Sequence, residues 1–583
     1  SDPAGWPAEG LGGEWNLWGF MPNDISHPGQ TAGRLLRPEE TVQCTPGNTT
    51  NCTRAGQAGL AAGMSVDRAW LLTVGDPRVM VAVLDSGIRW RERSLVEKAY
   101  LNAAELRACP PPGATATDVA TFDVNGDGIF NIRDYEYAAP AYAEFNNNGR
   151  LDPQDLIRGV NPASNAPCSD GVDDDQNGYT DDISGWDFLW NDNDPSDDTD
   201  YGHGTGEAND SVGQGHDETG SIGICPRCSL LNVRVGDSFI ADVNQYAESV
   251  IFSVDSGASV VQEALGTLNN TPFAQVAMDY AWRNNVLVVA SAADETSVHH
   301  NFPGNGEHLI NVHAITYDTD GTNRGWRDAT TFLNFNNCTN YGAHLQLSAS
   351  GSACSSEAVG KTAGQTGLIY SLYKQLQDGS DTYFDVPLTA AEVFQVLVMT
   401  ADDIDVTGAE RDPEALNLQK FPSNEGWDEA FGYGRNNVRR SLEMIRDHKI
   451  PPEVDVTQPY WFESFDPSVT PSVDVRGSVT VARDDQASWV LEVAKGVAPA
   501  ESTFTMVGSG TASRSTPFNG SFGSVDITTL FADAETPIPV DRDARTVTIR
   551  VRATVTRGAE TIKGEFRKVF SVLQDPQRRR SLA

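Results

Sequence analysis

The sequence predicts an α/β fold with a doubly wound, mostly parallel sheet, an acidic insertion and a C-terminal antiparallel β-sandwich. Short apolar runs alternate with helical patterns between residues 79 and 290, as in parallel βαβ units. Residues 95–200 are crowded with Asp, Asn and Gly. Beyond about residue 450, strands of alternating polarity are separated by Gly- and Pro-rich turns, which is typical of a small sandwich.

These shifts divide the chain into three predicted parts. Residues 1–75 are rich in Gly, Pro and Trp and are predicted to form an irregular N-terminal arm. The α/β domain occupies 76–450 and contains the insertion 95–200. The sandwich and a short tail occupy 451–583, a range that begins with the Pro-rich linker at Pro451-Pro452.

The chain is strongly acidic. It has 583 residues, with 42 Lys and Arg against 81 Asp and Glu, for a net charge of -39. This balance argues against a nucleic-acid partner, because affinity for phosphates comes from Lys and Arg. It favours a cation ligand, a salty or acidic setting, or a soluble secreted surface. No apolar run approaches the length that spans a bilayer.

The run from Val79 to Leu84 is continuously apolar and β-branched, which predicts a strand buried on both faces. Asp85 follows it directly, and Gly87 then allows a sharp turn. Ligands of open α/β sheets bind at the carboxyl ends of strands, so Asp85 is either a site residue or a turn-capping Asp. Further strands are predicted at 232–235, 258–261 and 286–290, and helices at about 242–255 and 272–284.

The acidic insertion contains three loops with alternating oxygen-bearing side chains and a glycine at the sixth position. This spacing is typical of calcium loops, because a hard cation takes six to eight oxygen ligands. The alternative for each loop is a solvated acidic turn. The second loop fits less well, since its first position is Glu144. The predicted ligands, some through the backbone carbonyl, are Asp123, Asn125, Asp127, Ile129, Asp134, Asn146, Asn148, Arg150, Asp155, Asp173, Asp175, Asn177, Tyr179 and Asp182.

Eight cysteines occur as close neighbours along the chain, which suits four local disulfides better than a zinc site. Only one pair has the C-x-x-C spacing, and a four-thiolate zinc site needs two such pairs. The spacing leaves the connectivity open. An even count without metal spacing favours an oxidising compartment, so the protein is predicted to be secreted or at the cell surface, either extracellular or periplasmic. The cysteines are Cys44, Cys52, Cys109, Cys168, Cys225, Cys228, Cys338 and Cys354.

Two further blocks carry reactive side chains. His203 lies between Gly202 and Gly204, whose small size allows close backbone approach. The alternative is a structural histidine. Residues 351–364 are mostly small and lead into a helix, where a serine at the start is usually an N-cap.

Together these blocks resemble the subtilisin-like serine peptidases, or subtilases, from about Gly75 to Ile445. Asp85, His203 and Ser356 fall in the family's aspartate, histidine and serine motifs, in the family's order. Residues 431–435 resemble the segment that closes the family's catalytic domain. Residues 181–188 resemble a calcium-bearing insertion of some members.

The resemblance implies peptide hydrolysis by a serine nucleophile. Ser356 would attack the scissile carbonyl, His203 would transfer the proton, and Asp85 would orient the imidazole. An extended polypeptide substrate would pair near residues 261–266. The family usually has an Asn as oxyanion donor, whereas the matching position here is Asp294.

Asp294 and several neighbouring motifs depart from the family pattern. An ionised carboxylate would repel the oxyanion, whereas a protonated one in a poorly solvated site could donate to it, which predicts activity shifted to mildly acidic pH. The serine motif is unusual at 354–355 and 360, and the histidine motif is unusual at 206–209. The strand that would pair with substrate carries an unusual Glu263. Ser355 and Ser352 remain alternative nucleophiles.

The sequence therefore predicts a secreted, calcium-stabilised serine endopeptidase that acts on polypeptides. The alternative is a catalytically weak or inactive descendant that serves as a surface or assembly binding protein, which the departures at 294, 354 and 360 favour. A third possibility, a calcium-binding adhesin, rests only on the acidic insertion and the sandwich. The sequence does not predict an oligomeric state.

Overall fold

The structure is a computed structural model, and it describes nine segments of the chain. The predicted N-terminal arm falls almost wholly outside them, together with Cys44, Cys52 and Ser352. The described segments are 64–137, 141–215, 222–267, 269–298, 301–315, 338–350, 354–404, 424–532 and 542–573.

A seven-stranded, entirely parallel sheet forms the centre of the first domain. Its order is β2-β3-β1-β5-β7-β8-β9, and a short parallel pair, β4-β6, lies apart from it. The strands are β1 Met80–Asp85, β2 Trp186–Asp187, β3 Ser229–Arg234, β4 Ile240–Ala241, β5 Val260–Glu263, β6 Gly266–Thr267, β7 Leu287–Ser291, β8 Leu309–Ile315 and β9 Leu347–Ser350.

The buried runs predicted from the sequence are the inner strands of this sheet. Every residue of β1 is buried, as expected for a strand covered by helices on both faces. In the sheet, β1 lies between β3 and β5, with Asp85 beside Arg234 and Leu84 beside Glu263. Polar residues at the ends of these strands therefore gather at one edge.

Helices cover both faces of the sheet, and two of them have the caps that their sequences indicate. Asp242 caps the helix Val243–Asp255. Thr271 caps the helix Pro272–Arg283, which has Pro272 at its first position. The longest helix, α8, is almost wholly buried from Ala358 to Tyr373 and passes through the core. The helices are α1 Val66–Ala69, α2 Arg93–Val96, α3 Arg133–Glu136, α4 Pro153–Ile157, α5 His203–Val212, α6 Val243–Asp255, α7 Pro272–Arg283, α8 Ser355–Asp378, α9 Ala390–Thr400 and α10 Val438–Arg446.

The C-terminal part consists of a three-stranded and a five-stranded sheet whose inward apolar residues share one core. The three-stranded order is β10-β12-β15 and the five-stranded order is β11-β17-β16-β13-β14. All pairs are antiparallel except β11-β17. The elements are β10 Glu453–Gln458, β11 Ser464–Phe465, β12 Ser472–Thr480, β13 Gln486–Lys495, β14 Thr505–Ser513, β15 Phe518–Asp526, α11 Ile527–Leu530, α12 Arg542–Arg545, β16 Thr546–Arg557 and β17 Glu560–Val572.

The sandwich packs directly against α9. Phe394 of α9 stacks on Phe566 of β17, with ring centroids 5.9 Å apart. Arg483 donates two 2.7 Å hydrogen bonds to Glu392, and both side chains are only 2% exposed. The two parts thus share a continuous, buried interface.

The α/β sheet and the antiparallel sandwich predicted from the sequence are confirmed. In the described residues, no helix combines the length and apolar character needed to cross a membrane. The domain boundary at about residue 450 stays a prediction. It falls between the end of α10 at Arg446 and the start of β10 at Glu453.

Candidate active site

Asp85 ends β1 at the carboxyl edge of the parallel sheet. Its side chain is 1% exposed, and the backbone N–H of Ser86 donates to it at 2.7 Å. Gly87 follows with φ of 89°, and a Cβ there would lie 2.5 Å from the carbonyl oxygen of Pro195. Glycine is therefore required at this turn, and the turn holds Asp85 in place.

His203 begins α5 and faces Asp85. Its Nδ1 lies 2.9 Å from both carboxylate oxygens of Asp85. Gly204 makes this approach possible, since a Cβ at that position would lie only 2.9 Å from the Cβ of Asp85. Gly204 thus has a physical role: it lets the helix meet the strand end.

Ser356 is the second residue of α8, and its Oγ lies 3.1 Å from Nε2 of His203. The imidazole, 20% exposed, therefore lies between a buried carboxylate and a hydroxyl. Such an arrangement can remove a proton from the hydroxyl and return it to a leaving group.

The alternative nucleophiles are arranged differently. The hydroxyl of Ser355 is buried, donates to the Asp294 carboxylate, and lies 2.6 Å from the hydroxyl of Ser291. Ser352 lies outside the described residues.

The charges around His203 favour its protonated form. Burial lowers the pKa of His203, but the charge and hydrogen bond of Asp85 outweigh it and raise the pKa to about 9, with smaller contributions from Glu207 and Asp294. The neutral imidazole that accepts a proton is thus favoured at alkaline pH. This direction is opposite to the mildly acidic activity expected from the sequence.

Asp294 lies three residues beyond β7 and is exposed, so the poorly solvated site expected for it is not found. Its Oδ1 accepts hydrogen bonds from the backbone N–H, at 2.9 Å, and the hydroxyl of Ser355. The carboxylate therefore caps the N-terminus of α8, where an anion is favoured. In this arrangement Asp294 is an acceptor and not a donor.

Two other unusual residues, Glu207 and Glu263, are buried carboxyls beside the site. Burial raises the pKa of each well above its usual range, because desolvation disfavours the charged carboxylate. Glu207 lies one turn after His203 on α5, and Glu263 ends β5. The sequence marked both as departures from the family pattern but did not predict their burial.

The acidic insertion brings together part of the predicted ligand set. One carboxylate oxygen each of Glu105, Asp173 and Asp175 lies within 4.8 Å of the other two. Asn102 donates to Asp175 at 2.9 Å and to Asp182 at 2.7 Å. Burial raises the pKa of Glu105 and Asp182 to about 7.

The sequence did not predict Glu105. It lies almost 70 residues before the third loop, where no local spacing marks it, and it accepts from the backbone N–H groups of Asp175 and Asp181 at 3.0 Å. Tyr179 packs its ring against Trp186 and Phe252, so only its backbone carbonyl is suited to a ligand.

The first two loops are arranged differently from the third. Asp134 accepts from the backbone N–H groups of Val124 and Asn131, and Asp155 accepts from that of Phe145. Within the segments that the structure describes, neither loop gathers three carboxylates as closely as the third loop does. The glycines at the sixth position of these loops, Gly128 and Gly149, have positive φ. The remaining members of the ligand set stay a prediction, namely Asp123, Asn125, Asp127, Ile129, Asn146, Asn148 and Arg150.

Three disulfides join cysteines that are neighbours along the chain, namely Cys109–Cys168, Cys225–Cys228 and Cys338–Cys354. The prediction of local disulfides is confirmed for these six residues. Cys354 immediately precedes α8, so the third bridge ties down the start of the helix that carries Ser356.

The sequence is also similar to a family of known proteins. The sequence model of the subtilase family matches residues 76–434. The thermophilic serine proteinase of Bacillus sp. (strain AK1) is 34% identical over 137 residues, which cover 23% of this chain and 33% of that protein. Thermitase of Thermoactinomyces vulgaris is 32% identical over 131 residues, which cover 22% of this chain and 46% of thermitase.

Among solved structures, the prenylagaramide maturation protease PagA aligns with a TM-score of 0.36 and 17% identity, over 65% of this chain and 98% of that one. The chain spans less than half the length of the two curated relatives. The family match covers more than half of the chain and includes Asp85, His203 and Ser356. The chain therefore belongs to the subtilase family.

Proposed function

We propose that this chain is a serine endopeptidase that hydrolyses peptide bonds in polypeptide substrates. One observation carries the proposal. The imidazole of His203 lies within hydrogen-bond reach of the Asp85 carboxylate, at 2.9 Å, and of the Ser356 hydroxyl, at 3.1 Å. The three residues come from β1, α5 and α8, which are far apart in sequence and meet at the edge of the sheet.

Each residue has a distinct task in this mechanism. Neutral His203 accepts the Ser356 proton through Nε2 as the oxygen attacks the scissile carbonyl, and the imidazolium then protonates the leaving amine. Asp85 accepts a hydrogen bond from Nδ1–H, which holds the imidazole in the required tautomer and balances the charge of the imidazolium. Water repeats the sequence on the acyl-enzyme and releases the second product.

The substrate would bind as an extended strand beyond β5. Residues 260–263 already pair with β1 on one side and β7 on the other. Gly266 already pairs with β4. Main-chain pairing with substrate therefore falls to residues 264–265, which is shorter than the segment 261–266 expected from the sequence.

A fluorophosphonate probe tests the nucleophile directly. The wild-type chain is expected to label covalently, and Ser356→Ala to lose all labelling. Ser355→Ala is the matched control: it should still label, because the Ser355 hydroxyl is directed to Asp294 and Ser291. Labelling that survives Ser356→Ala, or that is lost only in Ser355→Ala, would contradict the assignment.

The position of Asp294 favours the second candidate function, a non-catalytic binding protein. Its carboxylate accepts from Ser355 at the N-terminus of α8, close to where a developing oxyanion needs donors. A folded wild-type chain that fails to label and to cleave denatured polypeptide between pH 5 and 10 would support the binding role.

We also propose that calcium stabilises the acidic insertion. The third loop and Glu105 offer the carboxylate, amide and carbonyl oxygens that a hard cation requires. Bound calcium would offset the repulsion among these carboxylates and hold the loop to the preceding segment at Glu105. The donor set fits calcium better than a thiolate-preferring metal.

Chelation tests the calcium site without reference to activity. EDTA is expected to lower the melting temperature of the wild-type chain, and added calcium to restore it. Glu105→Gln should shrink this calcium-dependent shift, whereas Glu248→Gln, an exposed carboxylate on α6, should leave it unchanged. A melting temperature that is the same with EDTA and with calcium would contradict the site.

The three disulfides support a secreted or cell-surface location, since such bonds persist in oxidising compartments. Measurement of the activity in culture medium against that in cell lysate would test this location.

A further inference from the structure

Two aromatic side chains, Tyr201 and Phe239, flank the imidazole of His203 at the surface. Their ring centroids lie 6.0 Å and 5.8 Å from that of His203, and 6.4 Å from each other. Tyr201 is 44% exposed and Phe239 is 45% exposed, and the next residue, Ile240, is 44% exposed. Two large apolar side chains are therefore left open to solvent beside one reactive group, and a third, Ile240, follows Phe239 in the chain.

Neither ring contributes to the hydrophobic core. Tyr201 and Phe239 fall outside the buried clusters and outside the partly buried residues packed against them. A single exposed apolar residue is ordinary, whereas a group of them beside a site marks a surface that something else covers.

The backbone under both rings is held firmly. Asp197, 8% exposed, accepts from the N–H groups of Tyr201 at 3.1 Å and Gly202 at 2.6 Å. The carbonyl oxygen of Phe239 accepts from the N–H of Gly266 at 2.9 Å, and β4 then pairs with β6. The aromatic surface is thus ordered before any ligand arrives, which lowers the entropic cost of binding.

We propose that Tyr201 and Phe239 select substrates that carry a large apolar side chain, aromatic or branched aliphatic, at one residue close to the scissile bond. This inference rests on the proposed peptidase function. The hydrogen bond from Gly266 holds Phe239 beside residues 264–265, which would pair with substrate, so a side chain of the bound strand would lie against the rings. An aromatic face accepts such a side chain through apolar burial and ring contact.

Fluorogenic peptides that vary one residue at a time around a single cleavable bond test the selection. With the wild-type chain, Phe or Leu at one of these positions is expected to raise kcat/KM by at least about tenfold over Ala, the range given by a hydrophobic specificity contact. In Phe239→Ala the ratio of kcat/KM for Phe or Leu to kcat/KM for Ala should fall to about two at that substrate position. The same ratio at the other substrate positions should not change. Phe239→Leu should retain most of the preference.

Tyr460→Ala is the matched control, since Tyr460 is a 61% exposed aromatic residue in the sandwich, between β10 and β11. It should keep the wild-type preference. Cleavage by the wild-type chain with no apolar preference, or with the same preference in Phe239→Ala, overturns this inference alone. A wild-type chain that neither labels with fluorophosphonate nor cleaves any peptide overturns the proposed function and this inference with it.

Discussion

His203 is subject to opposing electrostatic effects. Burial favours its neutral form, whereas Asp85, Glu207 and Asp294 favour the imidazolium and raise its pKa to about 9. The proposed mechanism needs the imidazolium after proton transfer but the neutral base before it. The same carboxylate that stabilises the charged intermediate therefore reduces the fraction of competent enzyme at neutral pH.

A pH profile follows from this balance. Because the competent base is neutral, kcat/KM of the wild-type chain should rise with pH, reach half its maximum near pH 9 and level off above that. The measurement is kcat/KM on one fluorogenic peptide from pH 5 to 10, with folding checked at each pH. An optimum at mildly acidic pH would show instead that Asp294 must be protonated for activity.

Asp294→Asn should raise kcat/KM at pH 7 by about tenfold or more. The amide supplies an N–H donor near the oxyanion, where one donor is worth about 10²-fold, and it removes a carboxylate that raises the pKa of His203. The rise of kcat/KM with pH should therefore also move to lower pH. Glu295→Gln, an exposed neighbour, should leave both unchanged, and an Asp294→Asn variant slower at every pH would refute this role.

At the scale of elements, α8 depends on small residues where it crosses α5. A Cβ at Gly360 would lie 2.6 Å from the Cβ of Asp210 and 3.0 Å from the carbonyl oxygen of Glu207. This glycine, one of the departures from the family pattern, lets the two helices approach closely. This contact keeps Ser356, at the start of α8, within reach of His203 on α5.

Two glycine-to-alanine variants should act in opposite directions. A Cβ at Gly206 on α5 would have no neighbouring atom within 4 Å, so Gly206→Ala should raise stability by about 1 kcal/mol through helix propensity. Gly360→Ala gains the same propensity but forces α5 and α8 apart, at a cost of about 1–3 kcal/mol. Differential scanning calorimetry measures both, and a higher melting temperature for Gly360→Ala would contradict the packing argument.

At the scale of the whole molecule, His308 connects the α/β domain with the sandwich. Its Nδ1 lies 2.7 Å from Asp279 on α7, and its Nε2 lies 3.4 Å from Asp455 on β10. Burial lowers the pKa of His308, but the hydrogen bonds to both carboxylates outweigh it and raise the pKa to about 9. The interface therefore contains a group that is charged in the folded protein at neutral pH.

This interface should weaken in alkali. A group whose pKa is raised by folding adds stability that is complete below its ordinary pKa and is lost as pH rises through the folded value, here about 9. Asp455→Asn should therefore reduce the fall in melting temperature between pH 7 and pH 10. Asp474→Asn, an exposed carboxylate on β12, is the control, and an equal fall in all three proteins would exclude this contribution.

Much of the fold could be predicted because it depends on local pattern. The apolar run at 79–84, the capped helices at 243–255 and 272–283 and the alternating strands after 450 are each set by neighbouring residues. The candidate site was harder to predict. Glu105 joins the third acidic loop from a distant segment, and the solvation of Asp294 depends on what packs around it.

The sequence by itself determined which residue types were available: a carboxylate after a buried strand, a histidine between glycines, and a serine at a helix start. Hydrophobic periodicity also determined the elements that carry them. Only the tertiary structure decided that the three side chains meet, that Asp294 is exposed and caps α8, and that Tyr201 and Phe239 border His203. The reason is physical: distance and solvation are properties of segments that pack together in space, whereas local sequence patterns report only on neighbours along the chain.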